Sequence, residues 1–432
     1  NVFGGSMKRL YICLTDFQIL NAISMQYAGN DTIEADIMLV TNKEGNYELA
    51  KRLQSTGFFE NAFLLDNSRI QGIHMYLRNA TEGKKHITLI NSLKNSLNEI
   101  KHIVFSKIKG KGYAINNKMI LGGTMDFSQY DSVFCLDKRQ LVVDCVQEIL
   151  KATEQKCKIN LLDEGTSTYW RSILTKNFPI SEIFLMAPQL ANYFHEGWEN
   201  RINTIPAINI NDDKFRNIIN YVFAFEDDGH YLKNKNGLYE MCNQIVFFDQ
   251  NWDPMPEYFS KLNRFMKFLL HNSYKKHKKE SMFYERKMDM FRIVADNSNN
   301  NKVVVKLHPR SPLSFIKDYQ KSCCEMAHNI KIPWEVFMDN CSFNNNIWIT
   351  VSSTALCTYR MAFTNRSYDI PMIFLYKIVY KGNMDFREDD EFFQHFKEEY
   401  PDSVFIPETI DEFRTIYNEL VKKMSRQVNA NE

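Results

Sequence analysis

Three groups of polar residues follow apolar, strand-like runs, and their side chains are of the types that carry out acid–base and phosphate chemistry. In chain order the groups are Asp163-Glu164-Gly165, His308-Pro309-Arg310 and Ser352-Ser353-Thr354. Adjacent carboxylates raise each other's pKa, so one of them can act as a general base near neutral pH. A histidine and hydroxyl groups can stabilise the charge that grows on a departing phosphate. The three groups predict transfer from an activated nucleotide donor, with protein groups instead of Mg²⁺ as the counter-charge.

A predicted central strand positions the histidine. Residues 303–307 hold four apolar positions in five, which is typical of a strand in the middle of a parallel sheet, and Pro309 cannot continue the ladder. We therefore expect His308 at the carboxyl edge of the sheet, where open α/β sheets bind ligands. Apolar runs at 159–162 and 347–351 place the carboxylates and the serines at edges of the same kind.

The residues after two of these strands predict how the chain turns. Gly165 permits a sharp turn, and the hydroxyl run at 166–168 is expected to cap the helix that follows. Ser352, Ser353 and Thr354 are expected to open a helix, whose free backbone amides would complete a phosphate site.

Short apolar runs alternate with amphipathic stretches along the whole chain, a pattern typical of βαβ units and parallel sheets. The polar segment 209–236 separates two such series and is interpreted as the end of the first domain and a connector. The simplest account is an α/β protein with two Rossmann-like domains, 7–235 and 236–424. The predicted strands are 10–15, 37–41, 62–65, 132–136, 159–162 and 182–187 in the first series, and 244–248, 302–307, 347–351, 372–376 and 403–406 in the second.

Composition excludes several classes of function. The chain has 432 residues, enough for two domains, and its formal charge of +1 gives no case for nucleic-acid binding. No dinucleotide-binding G-x-G-x-x-G, Walker A or G-x-S-x-G motif occurs in the sequence, which weakens oxidoreductase, P-loop and hydrolase interpretations. No apolar run approaches the ~18 residues of a membrane span. Nine scattered cysteines without a C-x-x-C pair indicate reduced thiols and a cytoplasmic location.

Three further segments need an interpretation. The cluster Glu226-Asp227-Asp228-Gly229 has the same composition as the acidic group above and stays open as a rival, although a solvated turn is the simpler interpretation. The basic run 275–279 lies in a predicted helical hairpin, 256–291, and is either a solvated face or a contact with anionic lipid or glycan. A last helix is predicted at 410–424, with apolar residues on one face.

The three groups, in this order, resemble the acidic-acidic-glycine, His-Pro and Ser-Ser/Thr motifs of bacterial sialyltransferases. The opening segment 14–22 is similar to the strand-to-helix turn of glycosyltransferase family 52, the capsule and lipooligosaccharide sialyltransferases. Residues 247–250 are similar to the strand that opens the second domain of that family. One departure is Asp16 after Thr15, where many relatives have proline, which affects the geometry of the opening loop.

The resemblance implies a GT-B fold with an acceptor-side N-terminal domain, a nucleotide-sugar-binding C-terminal domain and a cleft between them. It implies an inverting transfer of sialic acid from CMP-sialic acid, without metal or cofactor, to a galactose-type acceptor of a bacterial surface glycan, with α2,3 linkage. Glu164 would be the general base, supported by Asp163, and His308 would contact the CMP phosphate and act as general acid. The residues that would contact substrate are Thr15, Gln18, Gly165, Pro309, Arg310, Ser352, Ser353 and Thr354.

Two alternatives remain open on the same scaffold. One is a GT-B enzyme that uses another nucleotide sugar, such as UDP-glucose, and the other is an inert protein that binds glycans or nucleotides. Relatives of the family dimerise, so a homodimer is a further expectation, as is a peripheral contact with the inner face of the membrane.

Overall fold

The chain folds into two units, Asn1–Pro206 and Ala207–Glu432. The computed structural model describes residues 8–29, 33–41, 46–66, 115, 119–136, 140–174, 179–226, 232–234, 236–252, 254, 271–308, 311, 313–322, 324–326, 332–364, 369–382 and 386–431.

Unit 1 is built on a single eight-stranded sheet in the order β4-β3-β2-β1-β5-β6-β7-β8, in which only the β3–β4 pair is antiparallel. Its strands are β1 (Lys8–Cys13), β2 (Glu34–Thr41), β3 (Ala62–Asp66), β4 (Met119–Leu121), β5 (Ser132–Cys135), β6 (Lys158–Leu162), β7 (Glu182–Leu185) and β8 (Ile202–Thr204). Its described helices are α1 (Asp16–Ala28), α2 (Asn46–Ser55) and α3 (Gln140–Ala152).

Parallel strands covered on both faces explain the apolar runs of unit 1. Alternate residues of β1 and β5, such as Leu10, Ile12 and Val133, enter a core on one face of the sheet. Helix α3 completes this core, because its buried residues Val142, Val146 and Ile149 recur at helical spacing.

The chain adds strands to one side of β1 and then to the other, so the strand order of unit 1 reverses between β1 and β5. Such a reversal creates a crevice at the carboxyl ends of the strands, where ligands bind.

Unit 2 has a six-stranded parallel sheet in the order β13-β12-β11-β15-β17-β18, with two small parallel pairs, β10–β14 and β9–β16. Its strands are β9 (Ile208–Asn209), β10 (Tyr239–Cys242), β11 (Gln244–Phe248), β12 (Lys302–Lys306), β13 (Glu325–Met326), β14 (Cys341–Asn344), β15 (Ile347–Thr350), β16 (Phe363–Thr364), β17 (Met372–Phe374) and β18 (Val404–Phe405). Its described helices are α4 (Asp213–Phe223), α5 (His271–Asp296), α6 (Ile316–Gln320), α7 (Trp334–Asp339), α8 (Ala355–Met361), α9 (Tyr376–Val379), α10 (Arg387–Glu399) and α11 (Ile410–Asn431).

The strand order of unit 2 reverses between β11 and β15, and β12 lies on the other side of β11. Every residue of β11 and of β15 is buried, as expected of central strands. The carboxyl ends of β12, β11 and β15 therefore form the edge at which this unit is expected to bind a ligand.

The predicted α/β class with two Rossmann-like sheets is confirmed. All eleven predicted strands are present, and most end one or two residues earlier than predicted because the last residues belong to the turns. The units divide between Pro206 and Ala207, earlier than the predicted boundary at 235/236. The segment interpreted as a connector contains α4, whose residue Arg216 donates from Nε to the Asp339 carbonyl of α7 at 2.8 Å within unit 2. The assignment of acceptor and donor roles to the two units stays a prediction.

Two helix predictions are refined. The described part of the predicted helical hairpin is one continuous helix, α5, and residues 255–270 lie outside the described ranges. The last helix continues to Asn431, and its buried residues are Phe413, Tyr417, Val421 and Met424. Ile410, which the sequence placed on the buried face, is 40% exposed because it opens the helix at its free end.

Unit 2 also buries a carboxyl group that the sequence did not single out. Asp339 at the end of α7 is 2% exposed, and neither carboxylate oxygen has a hydrogen-bond partner among the described residues. Burial raises the pKa of Asp339 to about 7, the nearby Arg216 lowers it, and Asp212 and Asp213 raise it further.

None of the helices in the described ranges combines the length and the apolar character needed to cross a membrane.

Candidate functional site

In unit 1 the structure assigns different environments to the two adjacent carboxylates. Asp163 directly follows β6 and is fully buried. Its Oδ1 accepts the Gly165 N–H at 2.9 Å, and its Oδ2 accepts the Tyr169 hydroxyl at 2.6 Å and the Met186 N–H at 3.0 Å. Three donors on a buried carboxylate hold the turn after β6 in one conformation. Asp163 is therefore a structural anchor, which fits the supporting role that the resemblance implies.

Burial raises the pKa of Asp163 to about 6, while the bonds from Tyr169, Met186 and Gly165 lower it and the charge of Glu164 raises it. Burial and the adjacent Asp163 also raise the pKa of the Tyr169 hydroxyl well above its ordinary value. Tyr169 consequently stays protonated and donates to Asp163 at all ordinary pH values.

Glu164 is half-buried, so it is the more accessible of the two carboxylates. Its backbone N–H donates to Thr168 Oγ1 at 3.0 Å. The following Gly165 has φ 116° and ψ −159°, a combination that is essentially restricted to glycine. The predicted helix cap does not form. Residues Thr166–Thr168 are themselves a 3₁₀ turn, and the residue at its N-cap position is Gly165, which has no side chain to cap it. Instead, Thr168 uses its hydroxyl to hold the backbone of the acidic turn.

The start of helix α1 lies against this acidic turn. Thr15 is the N-cap of α1, with its hydroxyl accepting the Gln18 N–H at 3.3 Å. Gln18 is fully buried, and its Oε1 accepts the Leu14 N–H at 2.8 Å. Asn21, which the sequence did not single out, is also fully buried and donates from Nδ2 to the Asp163 carbonyl at 3.0 Å. Its position three residues after Gln18, on the same helix face, was the only signal in the sequence.

In unit 2 the edge residues of three neighbouring strands stand at one level. Phe248 of β11 pairs with Lys306 of β12 and with Thr350 of β15. Two residues after these strand ends, the chain reaches Gln250 beyond β11, His308 beyond β12 and Ser352 beyond β15. The turns that carry His308 and Ser352 therefore leave the sheet from one level, on either side of β11, and both residues are half-buried.

The serine turn is held by side chains from elsewhere in unit 2. Ser352 Oγ shares a 2.6 Å hydrogen bond with the Tyr380 hydroxyl, and Gln250 Nε2 donates to Ser352 Oγ at 3.5 Å. Ser353 Oγ accepts the Ala355 N–H at 3.4 Å. The predicted helix after these residues is α8, which has only seven residues, and Thr354 precedes it without a side-chain cap. The turn therefore presents hydroxyl groups at this edge, and the helix that follows them is short.

A buried ion pair lies directly beneath this edge, between Asp249 and Lys287 of α5. Both side chains are fully buried. Asp249 was noted in the sequence only as part of the family-like segment 247–250. Lys287 gave no signal at all, because a lysine in a helix normally faces solvent.

Several predicted residues fall outside the described ranges: Pro309, Arg310, Asp227, Asp228 and Gly229. Of the rival acidic cluster, the structure describes Glu226, which is exposed just after α4. In the basic run, Lys275, Lys278 and Lys279 are exposed on α5. Within the described ranges, no three His, Cys, Asp or Glu side chains come together as a metal site.

No protein-family model matches the chain, and no curated protein matches it either. Among solved structures, the chain is similar to the glycotransferase of kitacinnamycin, with 10% identity, a TM-score of 0.41 and coverage of 98% of this chain and 95% of that one. It is similar to a UDP-N-acetylglucosamine 2-epimerase, with 11% identity, a TM-score of 0.39 and coverage of 98% and 95%. It is also similar to HepE of Anabaena in complex with UDP and glucose, with 8% identity, a TM-score of 0.38 and coverage of 97% and 99%.

The strand orders and registers of the chain itself establish its fold class, an α/β protein with two Rossmann-like sheets of the kind found in GT-B enzymes.

Proposed function

We propose that this chain is an inverting glycosyltransferase that moves sialic acid from CMP-sialic acid to a terminal galactose-type acceptor of a bacterial surface glycan, with α2,3 linkage. The observation that carries the proposal is that the turns carrying His308 and Ser352 leave the sheet from one level on either side of β11, where the strand order of unit 2 reverses. An imidazole and a hydroxyl at such an edge suit a nucleotide phosphate. The resemblance of the sequence motifs supplies the choice of CMP-sialic acid.

The donor phosphate would be held by the hydroxyls of Ser352, Ser353 and Thr354, with His308 opposite them. Ser352 is presented in one orientation because Tyr380 and Gln250 both contact its Oγ. Such prior orientation favours transition-state stabilisation, since little reorganisation remains when charge develops. Pro309 and Arg310 belong to the same proposed site by their place in the sequence.

Glu164 would serve as the general base. Asp163 is unsuited to that role, because its carboxylate is fully buried and already accepts three hydrogen bonds. Glu164 is half-buried on a turn that Asp163, Gly165 and Thr168 hold in place. Thr15, half-buried at the start of α1, would contact the acceptor, while Gln18 shapes the loop by holding Leu14.

In the proposed reaction, the acceptor hydroxyl loses its proton to Glu164 and its oxygen bonds to the anomeric carbon of the donor. The bond between that carbon and the phosphate oxygen breaks, and CMP leaves with the electron pair. His308 and the serine hydroxyls stabilise the charge on the leaving phosphate, and His308 can donate a proton to it. Attack opposite to the leaving group inverts the anomeric configuration. No step of the proposal needs a metal ion.

The proposal is tested by incubating the protein with CMP-sialic acid and lactose in the presence of EDTA, and by measuring sialyllactose and free CMP. We expect both products in equal amounts. If CMP-sialic acid released no CMP with lactose or any other galactoside as acceptor, the proposal would be contradicted.

Thermal-shift measurements with CMP and UDP separate the proposal from its alternatives. A nucleotide at about 100 times its dissociation constant stabilises the protein by ~2.7 kcal/mol, which is readily measured. Stabilisation by CMP supports the proposal, whereas stronger stabilisation by UDP would favour a different nucleotide sugar. Binding of nucleotide without turnover of any donor would indicate an inert binding protein.

A further inference from the structure

The ion pair beneath the edge of unit 2 connects the two turns to which the proposed function assigns the phosphate. Asp249 is 2% exposed and its backbone N–H donates to the Lys306 carbonyl at 2.9 Å, so it extends the β11–β12 ladder by one residue. Its carboxylate accepts Lys287 Nζ and the Tyr319 hydroxyl on Oδ1, and Ser311 Oγ on Oδ2 at 2.6 Å. A carboxylate so enclosed cannot reach a substrate or accept its proton.

One branch of these contacts leads to the histidine. Ser311 also donates its backbone N–H to the His308 carbonyl at 2.8 Å, shortly after the end of β12. Asp249 therefore holds a residue that is hydrogen-bonded to the backbone of His308. A displacement of Ser311 would disturb this hydrogen bond and with it the position of His308.

The other branch leads to the serine. Lys287 Nζ donates to the Gln250 carbonyl at 3.0 Å, and the Gln250 side chain contacts Ser352 Oγ. A continuous set of hydrogen bonds thus runs from the His308 turn through Ser311, Asp249, Lys287 and Gln250 to Ser352. The chain brings these residues together from the ends of three strands, β11, β12 and β15, and from α5.

The energetics of buried ion pairs indicate why such an arrangement would be retained. A buried ion pair seldom adds stability over well-packed apolar residues, because both charges lose their hydration. A buried ion pair can instead fix one arrangement of the residues around it, because each buried charge is stable in few other positions. Here the specified geometry is the relative placement of His308 and Ser352.

We infer that Asp249 and Lys287 are positioning residues that set the geometry of His308 and Ser352 for the nucleotide phosphate, an inference that rests on the proposed function for its chemistry. Substitution at Ser311 is the mildest test, because it removes one hydrogen bond and leaves the ion pair in place. A shift of about 1 Å in a catalytic group lowers the rate by up to about 100-fold. We expect Ser311→Ala to lower kcat by about 10- to 100-fold with less effect on KM, and Ser311→Thr to retain most of the activity.

The matched control is Ser425→Ala in α11. Ser425 Oγ accepts Asn301 Nδ2 at 3.4 Å, next to the amino end of β12, at the opposite end of the strand from Ser311. It belongs neither to the proposed site nor to the set of contacts described above. This control should retain wild-type kcat and KM.

A second readout needs no substrate. The imidazole Cε1–H signal of His308 in the NMR spectrum of the full chain, assigned by its loss in His308→Asn, reports the surroundings of the ring. We expect Ser311→Ala to shift this signal, and Ser311→Thr and Ser425→Ala to leave it close to its wild-type position. If the wild-type protein transfers no sugar but the signal shifts as expected, the proposed function fails and the positioning of His308 stands. An unchanged signal together with unchanged kcat in Ser311→Ala, or equal losses in Ser311→Ala and Ser425→Ala, would overturn the inference.

Discussion

Asp339 offers a quantitative prediction because it is a buried carboxyl whose oxygens have no hydrogen-bond partner in the described structure. The substitution is Asp339→Asn, which keeps the shape of the side chain and removes its ability to ionise. The pKa of this carboxyl rises from 3.8 to about 7 on folding, chiefly because burial disfavours the charged form. At about 1.36 kcal/mol for each pH unit of pKa difference, ionised Asp339 lowers the free energy of unfolding by about 4 kcal/mol.

The direction of the pH dependence follows from the raised pKa. Below about pH 4 the carboxyl is protonated in both states and has no such effect. As the pH rises from about 4 to about 7, the unfolded chain releases its proton first, so the stability of the wild type falls, and it levels off above pH 7. Between pH 5 and pH 8 the wild type should lose about 2–3 kcal/mol that the Asn variant retains.

The assay is urea denaturation of both proteins at pH 5 and pH 8, followed by tryptophan fluorescence, since Trp334 and Trp348 are buried in the same unit. Asp411→Asn is the control, because the Asp411 side chain is 94% exposed on α11. This control should leave the pH dependence unchanged. If the stability difference between Asp339→Asn and the wild type is the same at both pH values, the pKa of Asp339 does not change on folding as described.

Three further predictions concern the acidic turn and the basic run. Gly165→Ala should lower the free energy of unfolding by about 1–3 kcal/mol and reduce activity, because alanine disfavours a φ of 116°. The control Gly123→Ala, at φ 71° beside β4, should lower stability without reducing activity. Equal activity in the two variants would argue against the importance of the acidic turn. Asp163→Ala should destabilise unit 1 by at least about 3 kcal/mol in chemical denaturation, since three buried donors lose their acceptor, and a loss below about 1 kcal/mol would show that Asp163 is no anchor. Substituting Gln for Lys275, Lys278 and Lys279 in one variant should weaken binding to phosphatidylserine vesicles by roughly 100-fold if the run contacts the membrane. Unchanged sedimentation of the variant with the vesicles would contradict a membrane contact of this run.

The sequence predicted the two sheets well because their central strands are runs of buried apolar residues. Strands β11, β12 and β15 each carry this signal locally, and the turns that end them contain the polar residues on which the site was predicted. The small pairs β10–β14 and β9–β16 were missed, since they are strands of two to four residues that depend on pairing with distant segments. The division of the chain was missed for a related reason. Helix α4 looks polar in sequence, but its residues Phe215, Ile219 and Val222 form a buried face.

The predicted site was limited to residues with an evident chemical type at a strand end. Residue type did not separate Asp163 from Glu164, although the family resemblance implied Glu164 as the base. Burial and hydrogen bonding show that Asp163 is the anchored carboxylate. Lys287 could not be found, because nothing in the pattern of α5 distinguishes it from the exposed lysines nearby. Its role becomes visible only when the fold brings it to Asp249, which precedes it by 38 positions in the chain.

The most direct test of the central claim is the initial rate of sialyllactose formation from CMP-sialic acid and lactose in EDTA, for the wild type and for Glu164→Gln. We expect metal-independent transfer by the wild type and a rate at least about 100-fold lower for Glu164→Gln, because the variant lacks the general base. Retained folding of the variant, checked by thermal denaturation, makes the comparison meaningful. Equal rates for the two proteins would contradict the assignment of Glu164, and the absence of transfer by the wild type would contradict the proposed reaction.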